Sequence, residues 1–195
     1  KALLESSLVL LNANENLKDH GIEASKISFD LNQMHERKNG IVSTMSKGVA
    51  GLFKLNKIDV IQGQAYVVDE HTLQIISESD DSNITAENII LASGSKPIEL
   101  PGLPFDEKLL LSSNGALRIK EVPNRVAVIG AGAVGLELGS VWSRLGSEVT
   151  ICEALTEFLP NADDAVSKEA LKVFTKQGLN IHLGTEVESL EQVEN

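Results

Sequence analysis

Residues 124–153 read NRVAVIGAGAVGLELGSVWSRLGSEVTICE, and the rest of the 195-residue chain is organised around them. Arg125–Ile129 is a short apolar run rich in Val and Ile behind Pro123, the pattern of a buried strand. It breaks into Gly130-Ala131-Gly132-Ala133-Val134-Gly135, then into a helical pattern carried by Leu136, Leu138, Val141, Trp142 and Leu145. Gly146 stands where a helix stop favours a left-handed glycine. Residues 147–152 read as a second strand, with Glu153 just past its end. A strand, a G-x-G-x-x-G turn, a helix, a second strand and an acid in this register spell a dinucleotide-binding unit.

Each residue type has a physical reason. Gly130 permits the tight turn, Gly132 lets backbone approach a pyrophosphate, and Gly135 lets the helix pack against the strand. The pyrophosphate is expected on the free N–H groups and positive dipole end of the helix. Glu153 is expected to accept hydrogen bonds from a ribose 2′-hydroxyl and to repel a 2′-phosphate, which favours NAD over NADP. A glycine turn alone would be weak evidence; the acid and second strand in register carry the reading.

Composition sets the limits. A hydrophobic content of 42% suffices for a packed core, and the length allows one or two domains. The formal charge of −11 leaves no basic patch to neutralise phosphates, which argues against nucleic acid or an anionic membrane as partner. The single cysteine, Cys152, excludes an internal disulfide and points to a reducing, cytoplasmic compartment. Its place in an apolar strand end suits a buried small hydrophobe. No apolar stretch is long and unbroken enough to read as a membrane span.

Upstream of the central stretch, residues 1–19 carry a leucine-rich helical pattern that closes at His20-Gly21. Nothing before Lys1 caps this helix, so the chain is expected to continue upstream. Asp30 is a candidate N-cap for the next helix, with Gln33 three residues on. Its first part is polar. From Ile41 onward Val42, Met45, Val49, Leu52 and Phe53 recur at helical spacing and read as core or helix–helix packing. Residues 59–62 with 65–68, then 72–77 and 88–91, are strand candidates for a small antiparallel layer. Asp69, Glu70 and residues 80–83 supply the turns. The last of these strands runs into Ala92-Ser93-Gly94-Ser95, small residues that allow close approach to a ligand.

A connector over residues 104–123 holds one short helical piece at 114–117, and a domain boundary is expected near residue 120. Downstream, Asp163 or Asp164 is expected to cap a helix with Val166, Ala170, Leu171, Val173 and Phe174 facing inward, ended by Gly178. Residues 180–183 and 186–190 read as further strands. His20, His35, His71 and His182 fall in no motif and read as ordinary surface or strand histidines. No metal-ligating set is assigned.

Together these residues resemble the flavin-dependent pyridine nucleotide–disulfide oxidoreductases, most closely the dihydrolipoamide dehydrogenases among them. The resemblance covers the whole chain. It is most specific at Lys1-Ala2-Leu3-Leu4, at Ile89-Ile90-Leu91-Ala92-Ser93-Gly94-Ser95-Lys96-Pro97 and from Val128 through Glu153. Phe158-Leu159-Pro160 and Lys176-Gln177-Gly178-Leu179 also fit.

The resemblance implies partial, three-layer α/β Rossmann-like domains for FAD and NAD. Residues 1–120 would be part of an FAD-binding domain, and 121–195 an NAD-binding domain that is incomplete at its C-terminal side. It implies that Lys1, Ala65, Ser93, Gly94 and Ser95 approach FAD, with serine at 93 where the family usually has threonine. It implies that Gly130, Ala131, Gly132, Ala133, Val134, Gly135, Leu136, Glu137, Glu153 and Val187 hold NAD. Glu137 would stand beside the nicotinamide and Val187 near the adenine. Ala133 replaces a bulkier residue that gates the nicotinamide in glutathione reductase-like members, so that gate is not expected here.

The implied activity is oxidation of dihydrolipoyl groups with NAD as hydride acceptor. The implied partner is the dihydrolipoyl domain of a 2-oxoacid dehydrogenase complex, and the full-length protein is expected to be a homodimer. The family's redox motif C-x-x-x-x-C-x-P-S, its first FAD-binding glycine turn and its His-Glu acid–base pair would lie outside these residues. The chain alone is therefore expected to lack the catalytic centre. Soluble transhydrogenase, mercuric reductase and a non-catalytic NAD-binding module are the competing readings.

Overall fold

The computed structural model describes residues 1–78 and 81–191. It divides into two compact units, residues 42–96 and the remainder.

The larger unit is built on a parallel sheet of β4 (Arg125–Ile129), β5 (Glu148–Glu153) and β6 (Leu179–Leu183), in that order. Helix α4 (Ala133–Arg144) connects the first two strands, and α5 (Asp164–Lys176) the next pair. This is a partial Rossmann-like α/β arrangement, as the sequence pattern predicts. Helix α4 packs on all three strands, and α1 (Ala2–Glu15) packs on α4. Trp142, Val149, Ile151 and Leu179 are at most 1% exposed and form the centre of the core. Gly146 (φ +109°) ends α4. Ser147 N–H donates to the Trp142 carbonyl (2.9 Å) and Gly146 N–H to that of Ser143 (3.0 Å), so the glycine stop closes two otherwise open carbonyls. Asp163 caps α5 through Oδ1, which accepts from Ala165 N–H at 2.9 Å. Among the described residues no helix is long and apolar enough to cross a membrane.

The predicted first helix is shorter than residues 1–19. The α-helix stops at Glu15, and a 3-10 turn (Leu17–His20) follows. Asp30 caps α2 (Leu31–Leu55) as expected, accepting from Asn32 N–H at 2.8 Å. The short connector helix is α3 (Ser113–Ala116), with Ser112 Oγ as its cap. On α5 the inward set is reduced to Ala170, Leu171 and Phe174; Val166 and Val173 are exposed, because a single sheet face covers only one stripe of the helix.

The smaller unit holds the second half of α2 and an antiparallel sheet of β1 (Gln64–Val67), β2 (Thr72–Ile76) and β3 (Ser82–Thr85). Asp69 makes the expected turn, accepting from His71 N–H at 2.8 Å; Asp80, also assigned to a turn, lies outside the described residues. Residues 59–62 and 88–91 form no strand, and β3 comes from residues 82–85 instead. A strand exists only where a neighbour accepts its ladder, and neither run finds one among the described residues. The same holds for residues 186–190, which are irregular. The α2 stripe is also not core: Met45 is 68% exposed, and Val42, Val49, Leu52 and Phe53 are exposed with it. No described element covers that side of the helix.

Replacing Trp142 by Ala is expected to lower stability by about 3–5 kcal/mol, the cost of emptying a fully buried large aromatic site. Urea unfolding of the two proteins measures it.

Candidate functional site

The site is the turn between β4 and α4. Gly130 N–H donates to the Cys152 carbonyl at 2.8 Å, extending the ladder one residue past β4. The chain then swings into the helix with Gly130 at φ +100° and Gly132 as the N-cap. Gly132 has no side chain to cap the helix, so the N–H groups of Ala133, Val134 and Gly135 point out of the first turn without intrahelical acceptors. Nothing lies within 4 Å of the place a Cβ would take on Gly132. An open backbone donor cluster at a helix N-terminus of this length binds an anion such as a pyrophosphate.

Gly135 explains how the turn closes. A Cβ there would sit 2.2 Å from the Gly130 carbonyl oxygen and 3.1 Å from Val128 Cγ1. One turn further on, Gly139 keeps the approach close: its Cβ would meet Ile151 Cδ1 at 3.3 Å and Val149 Cγ1 at 3.4 Å. Gly139 escaped the sequence reading. Its signal is the spacing of four from Gly135, which keeps one face of α4 free of side chains against the sheet.

Glu153 falls on the last residue of β5 rather than beyond it. Its carboxylate bridges two loops, accepting from Ala131 N–H at 2.7 Å and from Leu155 N–H at 2.9 Å. The acid and the glycine turn assigned together from sequence are thus brought into direct contact. Leu136 is 3% exposed and its N–H donates to the Gly132 carbonyl, so its part in the site is to hold the turn from beneath. Ala133 and Val134 are exposed at the helix start, and Val187 is half-buried in the irregular segment after β6.

Glu137, on the next turn of α4, forms an ion pair with Lys1 at the start of α1. Both side chains are solvent-exposed. The sequence reading assigned each a cofactor role and did not pair them; residues so far apart in sequence meet because α1 lies on α4.

Ala65, Ser93, Gly94 and Ser95 belong to the smaller unit. Ala65 lies on β1 opposite Ile75, and the 93–95 turn is exposed, with nothing within 4 Å of a Cβ built on Gly94. A groove of about 620 Å³ in this unit follows the exposed α2 stripe, lined by Val49, Phe53, Lys54 and Val60. Ser46, Lys57, Asp59 and Gln62 also border it.

Cys152 is half-buried rather than buried. His35 lies in a structural contact, with Nε2 at 2.8 Å from the Ile119 carbonyl. Beside it Lys38 donates to the Leu117 carbonyl at 2.7 Å; desolvation, aided by the nearby Arg118 charge, lowers its pKa. Among the described residues no group of three or more His, Cys, Asp or Glu could hold a metal ion.

The chain matches the family described as pyridine nucleotide-disulphide oxidoreductase over residues 4–195. It is 43% identical over its whole length to a dihydrolipoyl dehydrogenase of Cupriavidus necator, of which it covers 41%. It is 39% identical over 96% of its length to the mitochondrial dihydrolipoyl dehydrogenase of Pisum sativum, of which it covers 38%. The chain therefore spans about two fifths of the length of these curated relatives. Among solved structures, the HOCl-induced flavoprotein disulfide reductase RclA of Escherichia coli, as its Cu(II) complex, aligns over the whole chain and 41% of its own, with a TM-score of 0.75 and 26% identity. LpdA of Mycobacterium tuberculosis aligns over 94% of the chain and 40% of its own with a TM-score of 0.81; at 19% identity it speaks for the fold alone.

Gly135→Ala is expected to weaken dinucleotide binding at least ~10-fold, about 1.4 kcal/mol, because backbone rather than a flexible side chain must move. Isothermal titration of the variant with NADH checks it.

Proposed function

The chain belongs to the pyridine nucleotide-disulphide oxidoreductase family, and on that premise we propose that it forms the central part of a dihydrolipoyl dehydrogenase using FAD and NAD. The names of the curated relatives support this reading. The observation that carries the NAD part is the pairing of an uncapped α4 N-terminus with Glu153 held against the Ala131 N–H.

In this reading the N–H groups of Ala133, Val134 and Gly135 hold the pyrophosphate, and Glu153 accepts from the adenosine ribose hydroxyls. A carboxylate fixed by two backbone donors leaves no room for a 2′-phosphate charge, hence NAD over NADP. Lys1 and Glu137 lie toward the flavin–nicotinamide contact, with Val187 near the adenine. Ala65 and the Ser93-Gly94-Ser95 turn serve FAD. Residues 1–120 thereby contribute to the FAD domain and 121–195 to the NAD domain, a division by cofactor rather than by compactness. Bound FAD and NAD supply the electron and hydride transfer. The residues described here bind, orient and charge-balance them. The redox cysteine pair and the His-Glu pair are assigned to the rest of a full-length homodimer, which takes electrons from the dihydrolipoyl domain of a 2-oxoacid dehydrogenase complex in the cytoplasm.

The full-length protein, given dihydrolipoamide and NAD, is expected to form NADH, and the 195-residue chain alone to form none. Absence of NADH from a full-length preparation with bound flavin would refute the substrate assignment. Glu153→Ala is expected to reduce the NAD-over-NADP preference in kcat/KM at least ~10-fold, about 1.4 kcal/mol. An unchanged ratio would remove Glu153 from the ribose site.

A further inference from the structure

Lys1 reaches Glu137 from the N-cap of a helix that has no side-chain cap of its own. What steadies that end of α1 is a neighbour on α2. Arg37 donates through Nη2 to Glu5 Oε2 at 2.6 Å, and through Nη1 to the Ala2 carbonyl at 3.3 Å and Ser6 Oγ at 3.4 Å. The three acceptors sit at the first turn of α1, directly after Lys1. The guanidinium reaches a carboxylate, a carbonyl and a hydroxyl through two nitrogens, where an ammonium would satisfy fewer of them. The hold comes from α2 and the ion pair leads to α4, so the start of α1 is fixed from two sides.

We propose that Arg37 is a positioning residue for Lys1: it fixes the first turn of α1 so that the Lys1 ammonium stays at Glu137, beside the flavin. This rests on the placement of Lys1 toward FAD given above. A single exposed ion pair fixes little. Here three contacts act on one turn, and the side chain they orient carries a charge at the reacting centre. Charge beside a flavin tunes its electronics, and a cation favours the reduced, anionic form.

The test uses the full-length flavoprotein and its FAD midpoint potential, measured by spectroelectrochemistry in Lys1→Met, Arg37→Met, Arg37→Lys and the Lys1→Met/Arg37→Met double variant. Flavin content, read from the visible absorbance, checks that each variant folds. Lys1→Met is expected to lower the potential, and Arg37→Met to lower it by a smaller amount. Arg37→Met should add nothing in the Lys1→Met background, and Arg37→Lys should restore only part of the shift. An Arg37→Met potential equal to wild type, or an Arg37→Met shift of the same size in both backgrounds, overturns the proposal. An unchanged potential in Lys1→Met overturns instead the placement of Lys1 beside the flavin, and the inference falls with it.

Discussion

The candidate dinucleotide site depends on one close approach, that of α4 to the end of β4. The Gly130 carbonyl occupies the space a Cβ at position 135 would need, at 2.2 Å. Any side chain there pushes the helix away from the strand. The helix N-terminus would then lift from the sheet edge, and the donors of residues 133–135 would no longer converge where an anion can also reach Glu153. Close packing makes this a discrete constraint, since neither backbone can relax by bending a side chain. Gly139 extends the same contact onto β5, where the neighbours are terminal methyl groups that have more freedom.

Two carboxylates then give the site its charge pattern, each balanced differently. Glu153 accepts from backbone N–H groups of the two loops it joins, so it holds their geometry. Glu137 is balanced by a lysine from another helix. In a chain of net charge −11 an unbalanced pair of acids would oppose a pyrophosphate. The N-terminus of α4, ahead of both acids in sequence, keeps its dipole open toward an anion.

How much of this was legible in the sequence depends on whether a residue's partner is local. The glycine turn, the Gly146 stop and the Asp30 and Asp163 caps are legible because their partners lie within one supersecondary unit; Glu153, expected just past the strand, closes β5 instead. The Lys1–Glu137 and Arg37–Glu5 contacts join separate helices, and no short-range pattern records which helices will lie together. Gly139 was legible in principle and overlooked, because a helix-interior glycine costs propensity and draws notice only once its packing face is known.

The failed strand assignments show the same limit from the other side. Residues 88–91 have strong β propensity, yet Ile90 is 89% exposed and Leu91 77% exposed, and no strand pairs with them among the described residues. Residues 82–85, with weaker propensity, do form β3, because the turn at Asp69 brings β2 back beside β1 and leaves an edge within reach of Ser82. Propensity measures how well a side chain suits a pleated, half-buried surface; it does not supply the neighbouring ladder. The α2 stripe obeys the same rule: its helical spacing is legible and its burial is not, because burial belongs to a pair of surfaces and no element among the described residues supplies the second.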